Sequence, residues 1–79
     1  MANYTKEQRE YLQAVGRKIR EIRTEFQISQ EELAWRAGLD RTYIGSVERG
    51  ERNISILNLK KIAKALGFPV KDLMGTKNL

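Results

Sequence analysis

The chain has 79 residues, enough for one domain, with a formal net charge of +5 and neither cysteine nor histidine. Disulfide frameworks, zinc fingers, thiol nucleophiles and histidine-based acid–base catalysis are therefore excluded, and no enzyme, cofactor, metal site or small-molecule ligand is expected. No apolar run is long enough for a signal peptide or a membrane span, so a cytoplasmic protein with no membrane partner is expected, and its charge favours an anionic partner.

The first helical pattern is expected over about residues 5–26. Thr5 with Gln8 forms a capping box, and Leu12, Val15, Ile19, Ile22 and Phe26 recur in alternating three- and four-residue steps, the stripe of a core-facing helix. Gly16 bounds the stripe and is expected to be a point of close packing. Arg23 lies at the edge of the stripe and should be partly buried, whereas Lys6 and Arg9 are balanced by Glu7 and Glu10 at a solvated helix end.

Ser29 with Glu32 is a second capping box, which starts a helix over residues 30–37 that Gly38 ends. Leu33, Ala34 and Ala37 form its apolar face, and Trp35 sits off that face as a partly exposed aromatic covering a neighbouring helix. Asp40 caps a third helix over residues 41–49, stopped by Gly50.

At about 100° per residue, Tyr43, Ile44 and Val47 share one side of this third helix. Arg41, Thr42, Gly45, Ser46 and Arg49 fall on the other. Two guanidiniums, two hydroxyls and one position without a side chain suit a helix laid in the DNA major groove, where arginine bonds guanine bidentately and hydroxyls approach other base edges. Gly45 costs roughly 1 kcal/mol against alanine in a helix interior, which points either to close approach of DNA or to helix packing.

Residues 51–55 form a loop, and Ser55 caps a fourth helix over 56–66 whose inward face is Leu59, Ile62, Ala63 and Leu66. Gly67 ends it, Pro69 opens a short fifth helix over 70–74, Gly75 closes that helix, and the tail 76–79 should fray. With no strand pattern, residues 1–79 read as a single all-α, five-helix domain. Ile54, Leu57, Phe68, Val70, Leu73 and Met74 offer more apolar surface than so small a core needs. A two-fold homodimer contact through Leu57, Phe68, Val70 and Leu73 is expected, completion of the core being the alternative.

Four segments together carry a family resemblance: Gln30-Glu31-Glu32-Leu33-Ala34, Ala37-Gly38-Leu39, Ile44-Gly45-Ser46-Val47-Glu48-Arg49-Gly50, and Leu59-Lys60-Lys61-Ile62-Ala63-Lys64-Ala65-Leu66-Gly67. They resemble the helix-turn-helix domains of phage repressors and their bacterial relatives, over about residues 15–74. Within that group, Leu39 to Asn53 is most similar to the controller proteins of restriction-modification systems. A phage-type or antitoxin-type repressor shares much of the pattern, and a protein-interaction (anti-repressor) module is the rival class on the same fold.

The resemblance implies a compact, lambda-repressor-like DNA-binding domain with a central helix-turn-helix. Its partner would be a partly palindromic double-stranded DNA operator bound by a homodimer, with two dimers on adjacent sites allowed. If the controller resemblance holds, the protein regulates its own promoter. Ser29 and Gln30, at the start of the second helix, match phosphate-binding positions, where the helix N-terminus also favours an anion. Arg41, Thr42 and Ser46 match groove-facing positions, with Arg41 the candidate for a guanine. Tyr43 packs at the core edge or touches DNA. Arg49, Asn53 and Ser55 match phosphate grips, and Arg52 a phosphate or base contact. Glu48 is expected to pair with Arg23 in an internal salt bridge.

Overall fold

The computed structural model describes residues 3–74. Five helices follow one another: α1 (Lys6–Glu25), α2 (Gln30–Ala37), α3 (Arg41–Glu48), α4 (Ile56–Leu66) and α5 (Val70–Leu73), and no strand occurs among the described residues. α1, α3 and α5 each stop a residue short of the expected ends, at Glu25, Glu48 and Leu73, where Phe26, Arg49 and Met74 serve as C-caps. The expected stop at Gly75 and the tail 76–79 lie outside the described residues.

Local chemistry explains the boundaries. At the start of α1 the Thr5 hydroxyl accepts from the Gln8 backbone N–H at 3.1 Å while the Gln8 side chain accepts from the Thr5 N–H at 2.9 Å. Ser29, Asp40 and Ser55 cap α2, α3 and α4 through the N–H groups of Glu32, Thr42 and Asn58, satisfying donors that have no partner inside a helix. At α2 the reciprocal half of the capping box is replaced, because the Glu32 carboxylate accepts from Arg36 at 2.8 Å. The reversal between α1 and α2 is made by Gln27 at φ 57°, a left-handed conformation that carries no glycine to announce it in the sequence.

α1 packs on α3 and α5, α2 on α3 and α4, and α4 on α5. Ile19, Leu33, Ile44, Val47, Ile62 and Leu73 are enclosed where these faces meet. Each buried apolar side chain of this size is worth roughly 1.5–3 kcal/mol, so the joint core outweighs any single helix's propensity. No helix among the described residues is long and apolar enough to cross a membrane.

Three expectations are corrected by the packing. Leu73 is fully buried, because α5 folds back against α1 and α4, so its side chain offers nothing to a second copy. Phe26, placed in the core stripe, is half exposed: it lies past the last turn of α1 and turns towards Phe68, ring centroids 5.8 Å apart. Trp35, expected to be partly exposed while covering a neighbouring helix, stands largely open on α2 at 79% exposure.

Phe68 and Val70 are half-buried and pack against the core. Among the expected contact residues Leu57 remains open, 70% exposed, next to Ile56 at 62%, which the sequence reading had not singled out.

Candidate nucleic-acid interface

The third helix is held from behind by a buried ionic network. Arg23 of α1 donates from Nε to Glu48 Oε2 at 2.6 Å and from Nη2 to Oε1 at 2.9 Å, and its Nη1 donates to the Ile28 carbonyl at 2.8 Å. Gln30 Nε2 adds a third bond to Glu48, reaching Oε1 at 3.0 Å. The Glu48 side chain is 2% exposed, yet the carboxylate is satisfied on both oxygens, which is the condition for keeping a charge inside a protein.

Gln30 thus ties α2 to α3. An amide nitrogen carries two N–H donors, so the bond to Glu48 leaves one for an external acceptor. The Ser29 and Ser55 hydroxyls accept helix-capping N–H groups, a role that leaves each hydroxyl proton available for donation.

On α3 the exposed residues are Arg41 and Thr42 at the first turn and Arg49 just past the last. Arg41 has its Nε 3.9 Å from Glu31 Oε1, a loose surface pair. The hydroxyl-bearing face is narrower than the helical wheel implies. Ser46 is only 6% exposed and does not face outward: its Oγ donates to the Tyr43 carbonyl at 2.8 Å and accepts from Arg52 Nε at 3.2 Å. The chain turns at the end of α3, with the Glu51 N–H donating to the Ser46 carbonyl at 2.9 Å, and this brings the Arg52 side chain back to the hydroxyl.

Ser46 therefore positions Arg52. The guanidinium carbon of Arg52 lies 5.3 Å from the Tyr43 ring centroid, and the Tyr43 hydroxyl accepts from Asn58 Nδ2 at 3.2 Å. Tyr43 is half-buried, neither sealed in the core nor free. It acts as a plate on which the Arg52 cation rests, an arrangement that pre-orders an otherwise flexible side chain. Asn58 was not foreseen, since a polar residue in the first turn of α4 carries no sign of a partner 15 positions away.

Arg49 and Glu51 form a bidentate surface pair, Nε to Oε2 at 3.0 Å and Nη2 to Oε1 at 3.1 Å. Hydrogen bonding from Arg49 holds the Glu51 carboxyl below the usual carboxylate range, and the same bond raises Arg49. Both partners are thus charged at neutral pH, and the attraction between them fades as the pH falls through the lowered value of Glu51. Asn53 is exposed in the same loop.

Gly45 is buried under side-chain ends. A Cβ there would meet Arg49 Nη1 at 3.2 Å and Gln30 Oε1 at 3.6 Å, both able to move. Gly45→Ala is therefore expected to raise folding stability by up to about 1 kcal/mol, the helix-propensity difference, in urea unfolding.

The helix-turn-helix family pattern matches residues 19–73 of this sequence. The chain belongs to the helix-turn-helix family. This helix-turn-helix protein is 52% identical over 60 residues to control protein C.BamHI of Bacillus amyloliquefaciens, covering 75% of this chain and 74% of that protein. To control protein C.MunI of a Mycoplasma species it is 44% identical over 59 residues, covering 73% and 80%. The structure is similar to that of the restriction-modification controller protein C.AhdI from Aeromonas hydrophila, with a TM-score of 0.77 and 48% identity over 78% of this chain and 94% of that one. It is a helix-turn-helix regulator of the restriction-modification controller type and not an enzyme.

Proposed function

We propose that this regulator acts in the cytoplasm as a homodimer on a partly palindromic double-stranded DNA operator, controlling transcription from its own promoter. The observation that carries the reading is the division of α3: its residues from Ile44 to Glu48 are buried and its C-terminal end is fastened to α1 through Glu48, while Arg41, Thr42, Arg49 and, in the following loop, Arg52 remain exposed. Arg41 and Thr42 sit at the N-terminal end, where a recognition helix meets base edges. Arg41 is the candidate for a guanine edge, and Arg52, steadied by Tyr43 and Ser46, is a second base-reading candidate. Gln30, Arg49, Asn53, Ser29 and Ser55 are the phosphate candidates. Ser46 is withdrawn from the base-reading set because its hydroxyl serves Arg52.

The dimer contact is proposed around Leu57 and Ile56 at the start of α4, an exposed apolar pair close in sequence to the loop that follows α3. Two recognition helices would then sit about one duplex turn apart, roughly 34 Å. Two dimers on adjacent sites would be the larger assembly.

The test is selection of bound sequences from a random duplex pool, paired with sizing of the free protein. An enriched two-fold motif and a dimer are expected; a pool that yields no such motif sinks the operator reading. On the selected site, Arg41→Ala should lose about 1 to 3 kcal/mol and relax preference at one base pair. Arg49→Ala should weaken all sequences alike, and identical behaviour of the two variants would contradict the division between reading and gripping. Gly45→Ala separates folding from binding: a methyl facing DNA weakens the complex while the free protein gains stability. Unchanged affinity would contradict close approach of DNA as the reason for the glycine, and a loss of stability would point to packing instead.

A further inference from the structure

The three exposed arginines of α3 and the segment that follows it, Arg41, Arg49 and Arg52, differ in what holds them. Arg52 rests on neutral groups, the Ser46 hydroxyl and the Tyr43 ring, and Glu51 acts on it through space without a direct hydrogen bond among the described residues. Arg41 faces Glu31 only loosely, at 3.9 Å. Arg49 alone of the three is gripped by a carboxylate through two hydrogen bonds, at 3.0 and 3.1 Å.

The fold fixes this last pair. Arg49 caps α3 with its N–H on the Gly45 carbonyl at 3.1 Å, Gly50 turns the chain at φ 76°, and the Glu51 N–H returns to the Ser46 carbonyl at 2.9 Å. Both backbones are therefore anchored to the same helix end, which keeps the carboxylate beside the guanidinium.

From this geometry we propose that Glu51 is a built-in competitor for the DNA phosphate that Arg49 grips, setting the protein's affinity for duplex DNA of every sequence. The inference rests on the DNA-binding reading above. To reach a phosphate, Arg49 must leave Glu51, exchanging one anion for another, and the released carboxylate then stands near the phosphate backbone and is repelled by it. Phosphates carry no sequence information, so the penalty falls equally on operator and bulk DNA. Its consequence is a regulator less retained by the excess of non-operator duplex.

Glu51→Gln keeps the shape and removes the charge. Anisotropy titrations on the selected operator and on a scrambled duplex, at several salt concentrations, should show binding tighter by about 2- to 5-fold per protomer, hence about 4- to 25-fold for a dimer, on both sequences. The salt dependence should steepen by about one unit of slope per protomer, because no carboxylate is left to take up a cation on binding. In an Arg49→Ala background the same Glu51→Gln change should yield a much smaller gain.

A wild-type protein that binds neither duplex overturns the DNA reading and this inference with it. Wild-type binding with no gain from Glu51→Gln overturns this inference alone. So does a gain confined to one sequence, or an equal gain with and without Arg49, since Glu51 would then be an ordinary surface charge.

Discussion

Glu48→Ala is expected to remove about 3 to 5 kcal/mol of folding stability, because it leaves the buried Arg23 guanidinium with no counter-charge. A domain of this size has roughly 0.05–0.15 kcal/mol of stability per residue, so the loss is a large part of the total. The change also strands the Gln30 donor that Glu48 accepts, loosening α2 from α3 along with α1 from α3. Replacing both charges with apolar side chains of similar volume should restore much of the loss, since the cost comes from the unpaired ion and not from absence of the pair. Urea unfolding of the single and double variants checks this; a Glu48→Ala loss below about 1 kcal/mol would show that water reaches Arg23.

Gly16→Ala should be the other severe change. A Cβ on Gly16 would stand 2.6 Å from the Glu48 carbonyl oxygen and press still harder on that of Val47. These are backbone atoms in the last turn of α3, itself tied to α1 by the Arg23 pair, so neither partner can turn aside. The helices must separate by several tenths of an ångström, at a cost of about 1 to 3 kcal/mol, set against at most about 1 kcal/mol of helix propensity gained. Denaturant midpoints should fall for Gly16→Ala and rise for Gly45→Ala. Equal shifts would mean that the α1–α3 contact is looser than the carbonyl positions indicate.

Those two glycines show where sequence reasoning reaches its limit. Each lies inside a helical pattern, and propensity assigns both the same penalty. Only at Gly16 does another segment's backbone occupy the space. Trp35 is a similar case: its position off the apolar face of α2 was legible, but how far its ring stands open was not. Phe26 continues the stripe of α1 in spacing, yet it lies where the helix has run past the body it packs on.

What the sequence by itself determined is local in origin. Thr5, Ser29, Asp40 and Ser55 as caps, Gly38 and Gly67 as stops, and the spacing of the apolar stripes place five helices to within a residue of their observed ends, because these signals act over a single turn. The same spacing put Arg23 near the core, and the family resemblance supplied Glu48 as its partner. Tertiary structure alone decided which faces were covered. A helical wheel shows that Ser46 shares a side with Arg41 and Arg49, but the turn after α3 brings Arg52 back onto its hydroxyl, which becomes a support for that side chain. Leu73 likewise passes from candidate interface to enclosed core once α5 folds against α1 and α4. Burial depends on segments distant in the chain, and one-dimensional periodicity holds no record of where they return.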